Sequence, residues 1–136
     1  LGGVVHGLST EVSASDLASA YLEGVFFEIR RCLDVLGESG EIDNVVVSGR
    51  AAANPRLVRL MADAIGRPVR AFRHPSPSAI GAALLGATSE ERGQATSQLL
   101  GREITPGNSR KTYEALYRRH LDLFPRIARP AGNQVS

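Results

Sequence analysis

A short turn of small residues is the segment of this chain best suited to hold a ligand. Residues 48–53 read Ser-Gly-Arg-Ala-Ala-Ala, so Arg50 is the one bulky side chain in the turn. Asn54 and Pro55 follow, and both are favoured where a helix begins, asparagine as the N-cap and proline as the first helical residue. A slim turn leading into a helix N-terminus leaves room, and backbone N–H groups, for an anionic or nucleotide ligand. An ordinary strand-to-helix connection has the same form, and the spacing alone leaves that alternative open.

A strand and a helix are predicted to position this turn. Val45, Val46 and Val47 form an unbroken β-branched run, which is typical of a strand buried on both faces. The helix is predicted to run from Asn54 to Gly66, because its apolar residues recur at helical spacing and a glycine is placed to end it. The apolar residues of this helix are Leu57, Leu60, Met61, Ala64 and Ile65.

A long helix is predicted to precede the strand, and Ser13 and Asp16 have the spacing of a capping box at its start. Within it, Glu23 is interpreted as a structural hydrogen-bonding residue and Cys32 as a packed thiol. Gly24 lies mid-helix, where glycine makes helix formation about 1 kcal/mol less favourable than alanine does. We therefore expect the glycine to allow close packing against a neighbouring element. The predicted apolar stripe consists of Leu17, Tyr21, Val25, Ile29, Cys32, Leu33 and Leu36.

The second half of the chain is predicted to add one strand and two helices. Residues 68–72 read as a second, shorter strand, and residues 78–87 as a small-residue helix that could approach another backbone closely. Residues 88–109 are polar and glycine-punctuated, which predicts a long loop or a ragged short helix. A final amphipathic helix is predicted at 113–124, halted by Pro125. This alternation of helices and strands predicts an α/β layer with a largely parallel sheet.

Three ordered motifs in this chain resemble the FGGY carbohydrate kinases, and especially their xylulokinase-like branch. Gly3-x-x-x-Gly7-Leu8, followed at 16–24 by Asp-Leu-Ala-Ser-Ala-Tyr-Leu-Glu-Gly, is similar to the family's C-terminal signature. The turn and helix at 48–69, ending Ala-Asp-Ala-Ile-Gly-Arg-Pro-Val, resemble its nucleotide-site segment, and the small-residue helix resembles the stretch after it. Three positions depart from the family pattern, where a smaller residue, a glycine and a glutamate are more common: Tyr21, Arg50 and Ser76.

The resemblance implies a fold and a domain assignment. The fold class would be α/β, the later half of an actin-like, ribonuclease-H-like ATPase domain, with a short, mostly parallel sheet flanked by helices. Residues 1–129 would form the C-terminal part of the kinase's second domain, on the nucleotide side, and residues 130–136 a flexible tail. Because Leu1 is not an initiator methionine, we expect the chain to be a piece of a longer protein.

The resemblance also implies an activity: transfer of the γ-phosphate of ATP, with Mg²⁺ on the phosphates, to a hydroxyl of a polyol or a xylulose-like ketose. It assigns nucleotide binding to Gly49, Arg50, Ala51 and Asn54. It assigns no catalytic residue to this chain, because the family's catalytic aspartate and most phosphate contacts lie upstream of the matched part. The sugar and the metal would likewise be held mainly by that upstream part, so we expect this chain alone to be inactive.

Arg50 admits two interpretations. If the family glycine lets the backbone approach the ribose or the α-phosphate, an arginine intrudes there, and a positive φ would add strain. Alternatively, its guanidinium reaches a phosphate and substitutes charge for close approach. Weakened nucleotide binding is the interpretation we favour from the sequence.

A second function, from a different class, is a non-catalytic actin-like scaffold or interaction module in which Arg50 has closed the nucleotide site. The two functions differ in what the parent protein carries upstream. An active kinase needs an Asp-x-Gly-Thr-type phosphate loop and a catalytic aspartate there, and a scaffold does not.

Composition and charge exclude several other classes. The 136 residues, 43% hydrophobic and 22% charged, are ordinary for a globular domain, and a net charge of +2 with scattered arginines gives no reason to expect nucleic-acid binding. No apolar run approaches the length of a membrane span, and no membrane association is expected. Cys32 is the single cysteine, which excludes an internal disulfide and favours a cytoplasmic location; a homodimer is compatible with the sequence. No metal site is predicted, because the three histidines, His6, His74 and His120, are far apart in the chain.

Overall fold

Five α-helices and three strands make up the part of the chain that a computed structural model describes, residues 4–42 and 44–127. A 3₁₀ turn, Gly49–Ala53, joins the first strand to the second helix. The elements, in chain order, are α1 Ala14–Gly37, β1 Val45–Val47, α2 Pro55–Ile65, β2 Val69–Phe72, α3 Pro77–Leu84, α4 Ser89–Leu99, β3 Leu100–Ile104 and α5 Arg110–Ile127. This order confirms the predicted alternation of helices and strands around a small sheet.

The described sheet has three strands in the order β1-β2-β3. β1 and β2 are parallel, with Val45 opposite Val69, and β2 and β3 are antiparallel, with Val69 opposite Ile104. The sheet is therefore mixed. The sequence did not predict β3, because its glycine and two charged residues hide any strand pattern. Gly101 is required there, since an added Cβ would lie 2.9 Å from the carbonyl oxygen of Ala71.

The core is built around α2, which packs against α1, α5 and β2. Ala62, Ala64 and Ile65 are almost fully buried, and Val69 of β2 and the Tyr117 ring of α5 close over them. The predicted apolar face of α2 is confirmed by its packing into this cluster. The other buried apolar residues of the core are Phe26, Phe27, Val58 and Met61.

The capping box of α1 is confirmed, because Ser13 Oγ accepts from Asp16 N at 3.2 Å and Ser13 N donates to Asp16 Oδ2 at 2.9 Å. The apolar stripe predicted for α1 is only partly correct. Phe26 and Phe27 are the residues α1 buries, and they lie outside that stripe; Ile29 and Leu33 pack against the core from its edge. The remaining stripe residues are exposed: Leu17, Tyr21, Val25, Cys32 and Leu36.

Two expectations about α1 and one about β1 are corrected. Cys32 is exposed, so the packed thiol was wrong. A Cβ added at Gly24 would meet nothing within 4 Å, so no described element packs closely against it. The β1 valines are only half-buried or exposed, and Val46 is 45% exposed, so burial on both faces was wrong. Side chains alternate along a strand, so Val45 and Val47 pack against the core while Val46 lies on the opposite face.

The region after β2 is more regular than predicted. Of the long loop or short helix predicted for residues 88–109, the structure has a helix, α4, followed by β3. α4 begins with its own capping box, in which Thr88 Oγ1 accepts from Glu91 N at 3.3 Å. α5 continues through Pro125 to Ile127, so the proline does not halt it. The predicted tail at 130–136 lies outside the described residues. Among the helices that are described, none is long and apolar enough to cross a membrane.

Candidate functional site

The turn between β1 and α2 forms the candidate site, at the carboxyl ends of two parallel strands. Gly49 has φ +73°, the left-handed region that favours glycine, and open space lies where its Cβ would be. The 3₁₀ turn that follows contacts β2 and ends at Asn54, whose N–H donates to the carbonyl of Ala51 at 3.2 Å. Gly49 and Ala51 are half-buried, whereas Arg50 and Asn54 are exposed. The turn thus presents one arginine and one carboxamide to solvent.

Asn54 caps α2 as predicted. Its Oδ1 accepts from Arg56 N at 3.1 Å and from Leu57 N at 3.3 Å. Val58 N donates to the carbonyl of Asn54 at 3.1 Å, and Pro55 carries no N–H. The first N–H groups of α2 are therefore absent or already bonded, so the helix N-terminus offers a ligand less than the sequence suggested. The Nδ2 of Asn54 has no hydrogen-bond partner among the described residues and is able to donate.

Arg50 lies in the turn without backbone strain, since the described non-glycine residues all have negative φ. That removes the strain expected if an arginine replaced a glycine at positive φ. Its guanidinium has no hydrogen-bond or ion-pair partner among the described residues, and its side chain is exposed. What remains of the intrusion hypothesis is the bulk of the side chain.

The loop after β2 lies beside this turn, because parallel strands end at the same edge of a sheet. Its Arg73 and His74 are exposed, and His74 Nδ1 accepts from Ser76 N at 3.2 Å. Ser76 makes no side-chain cap for α3. Arg50 lies in the neighbouring turn, so Arg50 and Arg73 both add positive charge at this edge, which suits an anion.

Side chains of α2 bind the β3–α5 connection. Arg59 Nη1 donates to the carbonyl of Thr105 at 2.6 Å, and Gly107 N donates to Asp63 Oδ1 at 2.6 Å. Asp63 is 9% exposed and is the one charged residue in the described core. Sequence reasoning missed both contacts, because each joins residues more than 40 positions apart.

A polar network joins α1 to α5 on another side of the core. Tyr113 donates to Glu23 Oε1 at 3.0 Å, which confirms the structural role predicted for Glu23. Tyr117 donates to Asp34 Oδ2 at 2.8 Å. Burial, followed by these hydrogen bonds, raises the pKa of both tyrosines to about 12. The network therefore holds the two helices together.

Two further side-chain contacts extend this network along α5. His120 Nε2 lies 2.8 Å from Glu28 Oε1, within hydrogen-bonding distance. Arg30 bonds Glu114 and stacks 4.0 Å above the ring centroid of Tyr117, a cation–π contact. These contacts fix α5 on α1 and leave the turn at 48–54 uncovered.

The residues at the turn fit part of a nucleotide site. A left-handed glycine, a slim backbone, the Nδ2 of Asn54 and the nearby cations suit the adenosine side of a nucleotide and its first phosphates. No cluster of three or more metal-ligating side chains occurs in the part of the chain that the structure describes. Two open surface depressions, one along α5 and one at the end of α1, lie away from the turn.

Known proteins are similar to this chain in sequence. The sequence model of the FGGY family of carbohydrate kinases, C-terminal domain, matches residues 1–90. A D-ribulokinase of Saccharomyces cerevisiae is 37% identical over 92 residues, which cover 64% of this chain and 13% of the yeast protein. A ribulokinase of Mycolicibacterium smegmatis is 30% identical over 132 residues, which cover 90% of this chain and 23% of that protein.

Solved structures give the same result for the fold. Xylulose kinase from Rhodospirillum rubrum superposes with a TM-score of 0.74 at 28% identity, covering 89% of this chain and 26% of that one. Plasmodium falciparum glycerol kinase with ADP superposes with a TM-score of 0.74 at 17% identity, covering 90% of this chain and 26% of that one, which is a likeness of fold alone. The chain thus spans about a quarter or less of the length of these relatives. The α/β fold predicted from the resemblance, part of an actin-like ATPase fold, is confirmed, and the chain belongs to the FGGY family of carbohydrate kinases, through their C-terminal domain.

Proposed function

We propose that this chain is the nucleotide-binding C-terminal portion of an ATP-dependent sugar kinase. The observation that carries the proposal is the turn at 48–54, which lies within the family match and presents an unstrained slim backbone and the Nδ2 of Asn54. In this proposal Gly49 and Ala51 let the ligand approach the backbone, Asn54 donates to the nucleotide, and Arg50 borders the phosphates. A cytoplasmic location is part of the proposal, because the chain has a single cysteine and no membrane-spanning helix among its described residues.

The reaction proposed for the parent protein is transfer of the γ-phosphate of ATP, bound with Mg²⁺, to a hydroxyl of a polyol or ketose. Phosphoryl transfer depends on a positioned nucleotide, a metal on its phosphates and a base at the accepting hydroxyl. This chain's residues supply the first of these by binding and orienting the nucleotide. The sugar, the base and the metal belong to other parts of the kinase. The sugars and polyols in the names of the relatives support a ketose such as xylulose or ribulose, or a polyol such as glycerol.

A second candidate function is a non-catalytic scaffold with a closed nucleotide site. It is favoured by Arg50, which replaces a family glycine and is exposed beside the turn. Because the backbone there is unstrained, only the side chain could obstruct a nucleotide. Removing that side chain therefore separates the two functions, as described in the Discussion.

Two variants of Asn54 test the proposed site. Asn54→Ser keeps an N-cap oxygen but loses the Nδ2 donor. Asn54→Ala loses both, and loss of the cap lowers the free energy of unfolding by about 1 kcal/mol. In the full-length kinase we expect the serine variant to melt near the wild type yet bind ATP several-fold more weakly, since one hydrogen bond contributes roughly 0.5–1.5 kcal/mol.

Titration calorimetry with ATP and thermal melting measure the two effects separately. Full ATP affinity in Asn54→Ser would reduce Asn54 to a cap and contradict the proposed contact. A companion assay adds ATP, Mg²⁺ and xylulose, ribulose or glycerol to the 136-residue chain alone, and we expect no sugar phosphate. Phosphorylation by the purified chain would overturn the assignment of the base to another part of the kinase.

A further inference from the structure

The C-terminal segment of the chain contacts α2, the helix that begins at the candidate nucleotide turn. Residues 105–107, between β3 and α5, lie beyond the part matched by the family model, which ends at residue 90. Two hydrogen bonds join this short segment to one side of α2, one donated by Arg59 and one accepted by Asp63. Arg59 and Asp63 are four residues apart, so both point from the same face of the helix.

Each of the two hydrogen bonds is short, and each involves a charged group. The Arg59 guanidinium donates to the carbonyl of Thr105 at 2.6 Å, and the Asp63 carboxylate accepts from Gly107 N at 2.6 Å. Charge-assisted hydrogen bonds of this kind are about twice as strong as neutral ones. Asp63 is 9% exposed, so leaving its carboxylate unpaired would cost more than leaving a surface group unpaired.

The same segment is tied back to the strand that leads into the turn. Ile104, just before Thr105, is opposite Val69 of β2, and Val69 is opposite Val45 of β1. The three residues form one row across the sheet. β1 is therefore linked to α2 in two ways. The turn at 48–54 joins them directly along the chain, and β2, β3 and residues 105–107 join them across the sheet.

The second link matters because α2 is short. It has 11 residues, and helices of that length depend on tertiary contacts more than on their own propensity. Its first residues, Pro55 and Arg56, are exposed, whereas Met61 to Ile65 are buried. Asn54 lies about 14 Å along the helix axis from Asp63, at 1.5 Å per residue. A small tilt of α2 near Asp63 therefore displaces Asn54.

We infer that Arg59 and Asp63 are positioning residues, which hold α2 against residues 105–107 and thereby set where Asn54 meets the nucleotide. The inference rests on the proposed nucleotide site. It extends the functional unit past the family match to the β3–α5 connection. A ligand-binding group must be held to within a fraction of an ångström, and misplacement of about 1 Å can cost as much as 100-fold in rate.

The test uses the full-length kinase with single substitutions on α2. Asp63→Ala removes the carboxylate, and Arg59→Met removes the donor while keeping the stem of a solvent-exposed side chain, so it should fold even if Asp63→Ala does not. Asp63→Asn keeps an acceptor oxygen for Gly107 N and serves as the conservative rescue. His120→Phe is the matched control, because it breaks the hydrogen bond to Glu28 on α1, keeps a ring beside Phe27 and leaves α2 untouched.

Two readouts are compared: the ATP dissociation constant, and hydrogen exchange of the peptide covering residues 55–65. We expect Asp63→Ala and Arg59→Met to weaken ATP binding about fivefold and to speed exchange in α2, with Asp63→Asn close to the wild type, because the acceptor is restored. His120→Phe should lower the melting temperature without changing ATP affinity.

Wild-type affinity and exchange in folded Asp63→Ala and Arg59→Met proteins would overturn the inference. An equal loss of ATP affinity in His120→Phe would also overturn it, because the effect would then be general destabilisation. A wild-type kinase that binds no ATP would instead refute the proposed nucleotide site. In that case hydrogen exchange alone tests whether Arg59 and Asp63 hold α2 in place, and unchanged exchange in both variants refutes that role.

Discussion

Tyr113 donates its hydroxyl hydrogen to Glu23 Oε1 at 3.0 Å and so joins the last helix, α5, to the first, α1, across 90 residues of sequence. The Phe27 ring packs between these helices, with its centroid 6.3 Å from that of Tyr113 in an edge-on arrangement. Tyr117, four residues after Tyr113 on α5, donates in the same way to Asp34 of α1. The two tyrosines thus make the α1–α5 contact both apolar and hydrogen-bonded, which gives it a pH dependence at high pH.

The first prediction concerns stability in alkali. Burial and Glu23 raise the pKa of Tyr113 to about 12, above the value of 10.0 expected in the unfolded chain. A raised pKa stabilises the protein fully below pH 10, and this contribution is lost as the pH rises through the folded pKa. Tyr113→Phe should lower the free energy of unfolding by about 1 kcal/mol at pH 7. It should also make the decline in melting temperature above pH 10 less steep. Tyr21→Phe is the control, since Tyr21 is 75% exposed and should leave both measurements unchanged. A Tyr113→Phe profile that matches the wild type would contradict the role of this hydrogen bond.

The second prediction concerns acid. The hydrogen bond from Arg30 is the largest influence on Glu114 and holds the pKa of that carboxyl below its usual 4.5. A lowered pKa stabilises the folded state above the unfolded value, and the contribution disappears as the pH falls through the folded pKa. Glu114→Gln should therefore lower the free energy of unfolding at pH 7 by less than about 1 kcal/mol, because the pair is partly exposed. Below pH 4.5 its melting temperature should fall less steeply than that of the wild type. Glu11→Gln, at an exposed position before α1, should change neither value. The idea fails if Glu114→Gln and the wild type lose stability in parallel between pH 5 and pH 3.

The third prediction concerns Arg50. If the Arg50 side chain obstructs the nucleotide, Arg50→Gly in the full-length kinase should leave ATP affinity unchanged or tighten it, since the backbone at this turn is unstrained and the side chain is exposed. Calorimetry with ATP and with adenosine, which lacks phosphates, separates bulk from charge. A tenfold loss for ATP, about 1.4 kcal/mol, with adenosine unaffected would show instead that Arg50 holds a phosphate. If ATP binds only after the substitution, the scaffold function is supported.

The fourth prediction concerns the exposed apolar stripe of α1. Leu17, Tyr21 and Val25, at successive four-residue steps of α1, are 38%, 75% and 42% exposed, and Leu36 of the same helix is 61% exposed. Such surfaces on an isolated chain promote association. Sedimentation of the 136-residue chain should therefore show concentration-dependent association, and Val25→Glu should reduce it. Leu85→Glu changes an apolar residue that is 81% exposed at the end of α3, outside α1, and it should have less effect. A chain that stays monomeric at high concentration would refute the prediction.

The candidate site was predictable because its features are local. Asn54 caps α2 through amides two and three residues away, Pro55 needs no amide partner, and Gly66 ends the helix at φ +69°. Each of these depends on a few neighbouring residues and on rules of backbone hydrogen bonding that hold in any fold. The capping box at Ser13 was predictable for the same reason.

Only the tertiary structure decided which surfaces are buried and which distant residues meet. The periodicity of α1 allowed an apolar stripe through Tyr21 and Val25, yet packing selected Phe26 and Phe27, because α2 and the rings of α5 approach the helix from that side. β3 has too little local signal to be read as a strand, and it forms because β2 offers it an edge to pair with. The contact between Asp63 and Gly107 likewise follows from chain topology, since it joins residues 44 positions apart that no local rule relates.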